Sequence, residues 1–227
     1  MIPGLVIILV VAVVDWIAVK RGWRKVEVIT KPLTLVTLLV MFIFSFLEWN
    51  GTSLYPMLFV AVGLFFCLVG DVFLLFSDRW FIAGLVAFLL GHICYILALN
   101  IPLPNVSPIW SFGLAILIAL ISSRVLKPIL TAVRNQGQTK LAWAILVYGM
   151  VISIMLLSAM LTFYRKEWSP WSSGLVAAGA SMFFFSDVIL AWNKFVSPIR
   201  NGRLINMMLY HVGQISLAVG VILQYTG

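Results

Sequence analysis

Eight long apolar runs dominate this chain, and most of them are near the length that crosses a bilayer. A hydrocarbon core of about 30 Å takes roughly 20 residues of helix. The runs cover residues 2–19, 33–47, 56–76, 80–99, 108–123, 141–163, 171–192 and 204–224, the second and fifth being short for the task. Hydrophobic residues make up 63% of the chain and charged residues 10%, against roughly 45–50% and 25% in a soluble domain. An ordinary soluble domain, a disordered chain and a secreted mini-protein are excluded. The expected fold is all-α and integral to the membrane: eight transmembrane helices forming one domain over residues 1–227.

The charges order these helices. Fifteen Lys and Arg against seven Asp and Glu give a net charge of +8, which in a soluble protein would suggest nucleic acid. Here the basic residues lie between apolar runs, so the partner they imply is the lipid bilayer, not nucleic acid. All of them except Arg165 and Lys166 fall in or beside the odd-numbered connections. The positive-inside rule then puts those connections in the cytoplasm and both termini outside, at the inner membrane if the chain is bacterial. The first run has no basic stretch ahead of it and no small-residue cleavage site, so it is expected to be an uncleaved first helix.

The prolines are read with the same map. Pro3, Pro32, Pro56, Pro108 and Pro170 sit at expected helix starts, where the missing N–H is harmless. Pro102 and Pro104 fall in an outer connection, and Pro128 and Pro198 in cytoplasmic ones. In the link 124–140, Leu126, Ile129, Leu130 and Val133 recur at helical spacing. That stretch is either a helix lying at the interface or an extension of the fifth helix. Cys67 and Cys94 lie inside apolar runs and read as small buried hydrophobes.

A charge at the centre of a membrane helix costs about 2.5–3.5 kcal/mol on insertion scales, so the few intramembrane ionisable groups single themselves out. Asp71 and Asp187 lie on the third and seventh helices, each a turn or two from the cytoplasmic end. Gly63 and Gly179 stand eight residues before them, which raises a parallel duplication with halves 1–104 and 105–227. His211 and Gln214 share a face of the last helix at i, i+3, and His92 and Tyr95 repeat that spacing nearer mid-membrane. Tyr148, Asn193 and Lys31 complete the set of polar residues expected near the cytoplasmic ends. Interhelical hydrogen bonds are the bland alternative for His and Tyr. Asp15 is expected to pair with Lys20 or the interface, and Glu48, Asp78 and Glu167 to be solvated. GxSxG, HExxH and P-loop signatures are lacking. No cofactor is expected, a zinc site built from His and Asp being the alternative.

Taken in order, Lys31-Pro32, Gly70-Asp71, Gly91-His92-x-x-Tyr95, Tyr148 with Met155, Ser186-Asp187 with Asn193-Lys194-Phe195, and Tyr210 with Gln214 resemble the YhhN-like lysoplasmalogenases. The resemblance covers nearly the whole chain. It implies a membrane hydrolase that cleaves the vinyl ether bond of a lysophospholipid, the lysoplasmalogen, to a fatty aldehyde and glycerophosphoethanolamine or glycerophosphocholine. On that footing Asp71 and Asp187 are the expected acid/base pair. Enol ether hydrolysis starts with a proton delivered to the carbon β to oxygen, so it needs one protonated and one ionised carboxyl. Lys31 is expected at the phosphate as a point charge. Tyr148, Asn193, His211, Gln214, His92 and Tyr95 are expected around the glycerol, the head group or the water, and Phe183 and Phe184 along the alkenyl tail. The rival readings are a proton-coupled transporter, which would also use intramembrane Asp and His, and a structural or lysolipid-binding membrane protein.

Overall fold

The computed structural model describes residues 2–47, 54–76, 78–101, 103 and 105–226. Glu48, Pro102 and Pro104 lie outside the described residues, as does the Asp78 side chain. Among the described residues eight α-helices form: α1 (Ile2–Arg21), α2 (Arg24–Leu47), α3 (Tyr55–Leu75), α4 (Phe81–Asn100), α5 (Pro108–Asn135), α6 (Thr139–Leu161), α7 (Pro170–Phe195) and α8 (Gly202–Thr226). All eight are long and apolar enough to span a membrane. The chain is an integral multi-pass membrane protein.

Two helices differ from expectation in where they begin and end. α2 starts at Arg24, nine residues before the apolar run, so Pro32 lies inside the helix and not at its start. The inward stripe of α2 explains this. It runs Glu27, Thr30, Lys31, Thr34, Leu35, Leu38, Met41 and Phe42, one continuous 3.6-residue stripe whose first turns are polar. Packing of that stripe outweighs the rung that Pro32 removes. α5 likewise runs unbroken to Asn135, taking Pro128 into its interior; of the two readings of 124–140, extension of the fifth helix is the one observed. Pro56, Pro108 and Pro170 stand in the first turns of α3, α5 and α7, as expected.

The turn between α1 and α2 is two residues long. Gly22 takes φ +69°, which spares it a Cβ clash, and the Trp23 N–H reaches back to the Ala18 carbonyl at 2.8 Å. That closes α1 as a Schellman motif. At the same end Arg24 donates to the Leu75 carbonyl and Gln136 to that of Phe195, so the basic helix ends lie together. The opposite end has its own clamp. Arg165 is buried, donates to the Leu99 carbonyl at 2.5 Å and pairs with Glu167 at 2.7 Å. Glu167 is largely exposed, as expected. The Glu167 backbone N–H and then the Arg165 guanidinium hold the Glu167 carboxyl below the usual range.

α2, α3, α4, α6, α7 and α8 contact one another in that order around a closed ring, α8 returning to α2. α1 leans on α2 and α8, and α5 on α6 and α7. α3 packs closely on α4, and α7 on α8, and glycines make both approaches possible. A Cβ on Gly63 would fall 3.2 Å from the Gly91 carbonyl oxygen. One on Gly179 would fall 2.6 Å from Leu217 N and 2.7 Å from the Gly213 oxygen. Backbone cannot swing aside as a side chain can. Gly179→Ala therefore destabilises the protein by about 1–3 kcal/mol, read as a lower Tm in detergent. Gly113→Ala, which meets nothing within 4 Å, leaves Tm unchanged or raises it.

Candidate active site

Asp71 lies about one turn from the basic end of α3 and Asp187 about two turns from that of α7, and α2, α4, α6 and α8 bring polar partners to them. Lys31 Nζ lies 3.0 Å from Asp71 Oδ1, and the Tyr210 hydroxyl donates to Asp71 Oδ2 at 2.8 Å. The Asp71 carboxylate is thus fixed by a cation and a phenol, both almost wholly buried. Asp187 has a different pair of neighbours. The Tyr148 hydroxyl donates to its Oδ2, and His92 Nε2 stands 3.7 Å from that oxygen. Part of the Asp187 carboxyl stays open, its side chain being 17% exposed against 1% for Asp71.

Both aspartates line one polar cavity of about 170 Å³ with Lys31, Ser186, Asn206 and Tyr210. Arg24, Glu27 and Arg203 line it as well. Glu27 accepts from Arg24 at 3.0 Å and from Arg203 at 2.7 and 2.9 Å. Asn206 donates to the Ser186 carbonyl and hydroxyl at 2.8 and 3.0 Å, tying α8 to α7 beside Asp187. A second space, a narrow apolar cleft of about 60 Å³, runs between α4, α5, α6 and α7. It is lined by Leu85, Phe88, Leu126, Ile152 and Phe184 among others. Asp187 lines this cleft too. One carboxyl therefore stands where an apolar space meets a polar one.

The expected site residues are distributed unevenly. Asp71, Asp187, Lys31, Tyr148 and His92 come together. His92, expected nearer mid-membrane, reaches this group, its Nε2 lying 2.9 Å from the Tyr148 hydroxyl and 3.7 Å from Asp187 Oδ2. Tyr95 and Gln214 bond to each other at 2.8 Å in the core, and neither lines the two cavities. His211 is fully buried on the α1 side of α8, its Nδ1 accepting from Trp16 Nε1 at 3.1 Å. Asn193 caps the α7–α8 connection, its Oδ1 accepting from Ile199 N at 2.9 Å. Phe184 does line the apolar cleft, whereas Phe183 is sealed against His92 and Tyr210. Among the described residues no three His, Cys, Asp or Glu side chains form a metal-holding group. Both cysteines are free and buried.

Asp15, expected to pair with Lys20 or the interface, is instead fully buried and accepts from the Thr30 hydroxyl at 2.7 Å. α2 covers it because that helix begins so early. Glu27, Arg24 and Arg203 also line the site, and the sequence does not single them out because they sit in charge-rich helix ends. The spacing Arg24-x-x-Glu27 was the available signal, since i, i+3 places both on one helical face.

Residues 26–221 match the model of the YhhN family. The chain is 28% identical over 206 residues to the lysoplasmalogenase homolog of Dictyostelium discoideum, covering 78% of this chain and 67% of that protein. It is 28% identical over 169 residues to human lysoplasmalogenase TMEM86A, covering 72% and 65%, and 27% identical to human lysoplasmalogenase TMEM86B, covering 68% and 59%. The chain thus spans about two thirds or less of the length of these relatives. No solved structure matches it.

Proposed function

The chain belongs to the YhhN family, and from that membership and the geometry of its two cavities we propose that it is a membrane hydrolase acting on the vinyl ether bond of lysoplasmalogens. The observation that carries this is the position of Asp187, on the boundary between an apolar cleft and a polar cavity. A lysolipid changes from hydrocarbon to glycerol at its ether oxygen. With the tail in the cleft and the glycerol in the cavity, that bond lies against Asp187.

The neighbours divide the work. Asp187, with a phenol and an imidazole on it, acts as the acid and protonates the carbon β to oxygen. The resulting oxocarbenium ion forms beside Asp71, whose partners are the Lys31 ammonium and the Tyr210 hydroxyl and whose role is that of the base. Asp71 takes a proton from water as that water adds to the cation. The hemiacetal then collapses to aldehyde and glycerophospholipid head group, Asp71 returning a proton to the departing glycerol oxygen and Asp187 recovering one from the hemiacetal hydroxyl. Lys31 is buried against Asp71, whereas Arg24 and Arg203 at the cavity mouth share Glu27 with side chains half exposed, so the phosphate falls to these two arginines. Their planar donor forks suit phosphate oxygens.

The basic end, carrying the cavity, is the cytoplasmic one on this reading. The ring order repeats α2-α3-α4 as α6-α7-α8. Gly63 and Gly91 meet as Gly179 and Gly213 do, which supports descent from a duplicated four-helix half.

Purified protein given a 1-alkenyl lysophospholipid should release fatty aldehyde and leave the saturated 1-alkyl ether untouched. Binding of the alkenyl lipid without aldehyde would sink the enzyme reading and leave a lipid-binding protein. Proton flux into liposomes would favour a carrier.

A further inference from the structure

His92 is fully buried, yet its Nδ1 has no hydrogen-bond partner. Its other nitrogen explains what the ring is doing. The Tyr148 hydroxyl has one proton and directs it at Asp187. His92 Nε2, 2.9 Å from that hydroxyl, must then be the N–H that donates to it. Phe183, 4.6 Å away centroid to centroid, and Tyr95 at 6.4 Å hold the imidazole in place. The chain Asp187–Tyr148–His92 starts at the cavity and ends blind inside the protein.

We propose that His92 and Tyr148 are positioning residues for the catalytic proton, which the relay shifts onto Asp187 when a lipid tail fills the cleft; this rests on the hydrolase reading above. Two arrangements share one set of heavy-atom positions. In the first, Asp187 is a carboxylate, Tyr148 donates to it, and His92 is an imidazolium donating from Nε2; Nδ1 keeps its proton in both arrangements, and with no acceptor there that N–H is costlier on the cation than on the neutral ring, which favours release of the other proton. In the second, the His92 Nε2–H bond has broken as a new Tyr148 O–H formed, and the old Tyr148 O–H has broken as a carboxyl O–H formed. Carboxylate and imidazolium become carboxylic acid and neutral imidazole. Two protons move, no atom is lost, and no outside reagent is needed.

The choice between the two depends on water at Asp187. An ion pair is tolerated while its carboxylate is partly hydrated, and its side chain is 17% exposed. That exposure opens into the cleft and cavity. An alkenyl chain displaces the water from the cleft side, and separated charge in a dry site is costly. The neutral arrangement then wins and the acid is armed only with substrate in place. The other groups facing this centre are Lys31 and Glu27 of α2, Asp71 and Cys67 of α3, Tyr95 of α4, Lys194 of α7, and Arg203 and Tyr210 of α8. The α5 residues facing the cleft, Val125, Leu126 and Ile129, carry no charge.

The probe is the saturated 1-alkyl lysophospholipid, which fills the cleft and cannot be hydrolysed through an enol ether. Infrared difference spectra should show one protonated-carboxyl band appearing when it binds to the wild type, absent in Asp187→Asn and lost in His92→Gln. Gln at 92 keeps a donor for Tyr148 but cannot surrender a proton. In turnover, Tyr148→Phe should lower kcat by about 10²-fold with KM little changed, and move the kcat–pH profile by about one unit. Analogue binding without the band, in protein that releases aldehyde, overturns the relay and leaves the hydrolase reading intact. The band without aldehyde release from the alkenyl lipid supports the relay as a ligand-driven proton shift and overturns the hydrolase. Unchanged kcat and pH profile in Tyr148→Phe also overturn the relay.

Discussion

Asp187→Asn protein, folded and inserted, should release aldehyde from alkenyl lysolipid at least about 10²-fold more slowly than wild type, with losses to 10⁴-fold in range. The amide keeps the shape of the carboxyl and can accept from Tyr148, so packing around α7 is preserved. It cannot deliver a proton to carbon. Asp71→Asn should also be slow, for another reason: it leaves the acid in place and removes the group that takes the proton from water. The two variants separate in the pH profile of kcat. Asp71→Asn should lose the limb belonging to the base, while Asp187→Asn should leave only a residual rate. Near wild-type turnover in either variant, with unchanged Tm, would overturn the assignment of that residue.

The second large effect is on stability. Lys31→Met leaves the Asp71 carboxylate buried with Tyr210 alone, and breaking a buried ion pair from one side costs about 3–5 kcal/mol. The methionine fills most of the space of the lysine stem, so a lost cavity contact is not the cause. Thermal unfolding in detergent reads the loss. The double variant Lys31→Met/Asp71→Leu should recover most of it, because replacing both charges by apolar groups of similar shape is often neutral. It should recover no activity. If Lys31→Met is as stable as wild type, the 3.0 Å contact between Lys31 and Asp71 is not an ion pair in the protein.

How much of this was legible in the sequence depended on what each residue had to signal. The eight spans and the two aspartates were readable, because a charge inside an apolar run is expensive and rare. The first turns of α2 were not, since hydropathy follows the lipid-facing surface and the buried residues there are Glu27, Thr30 and Lys31. A helix whose polar side faces inward resembles a loop when read for hydrophobicity. The same blindness hid Asp15, expected to pair with Lys20 or the interface, because the residues of α2 that cover it are polar. His211 and Asn193 carried the right chemistry at the right depth. Which way a helix turns them is set by packing against Trp16 and the α7–α8 turn, and a single sequence does not encode that rotation locally. Tyr210 is the opposite case. The buried stripe of α8 runs Gly202, Asn206, Tyr210, Gly213, Gln214 and Leu217, so its polar face was visible, but Tyr210 and His211 could be told apart only by which neighbour each met.

α5 has few buried residues for its length of 28: Ile118, Ser122, Ile129 and Val133. It nevertheless supplies Val125, Leu126 and Ile129 to one wall of the apolar cleft. A cleft about 60 Å³ in volume must widen to admit a lipid chain, and the wall that yields with least loss of contact is this one. On the proposed hydrolase function, a lipid substrate passing there never leaves the hydrocarbon, and the aldehyde can return by the same way. Supply to the enzyme is then two-dimensional. At fixed total substrate, diluting the membrane with inert lipid should slow turnover, whereas diluting the whole suspension with buffer should leave the rate per enzyme unchanged.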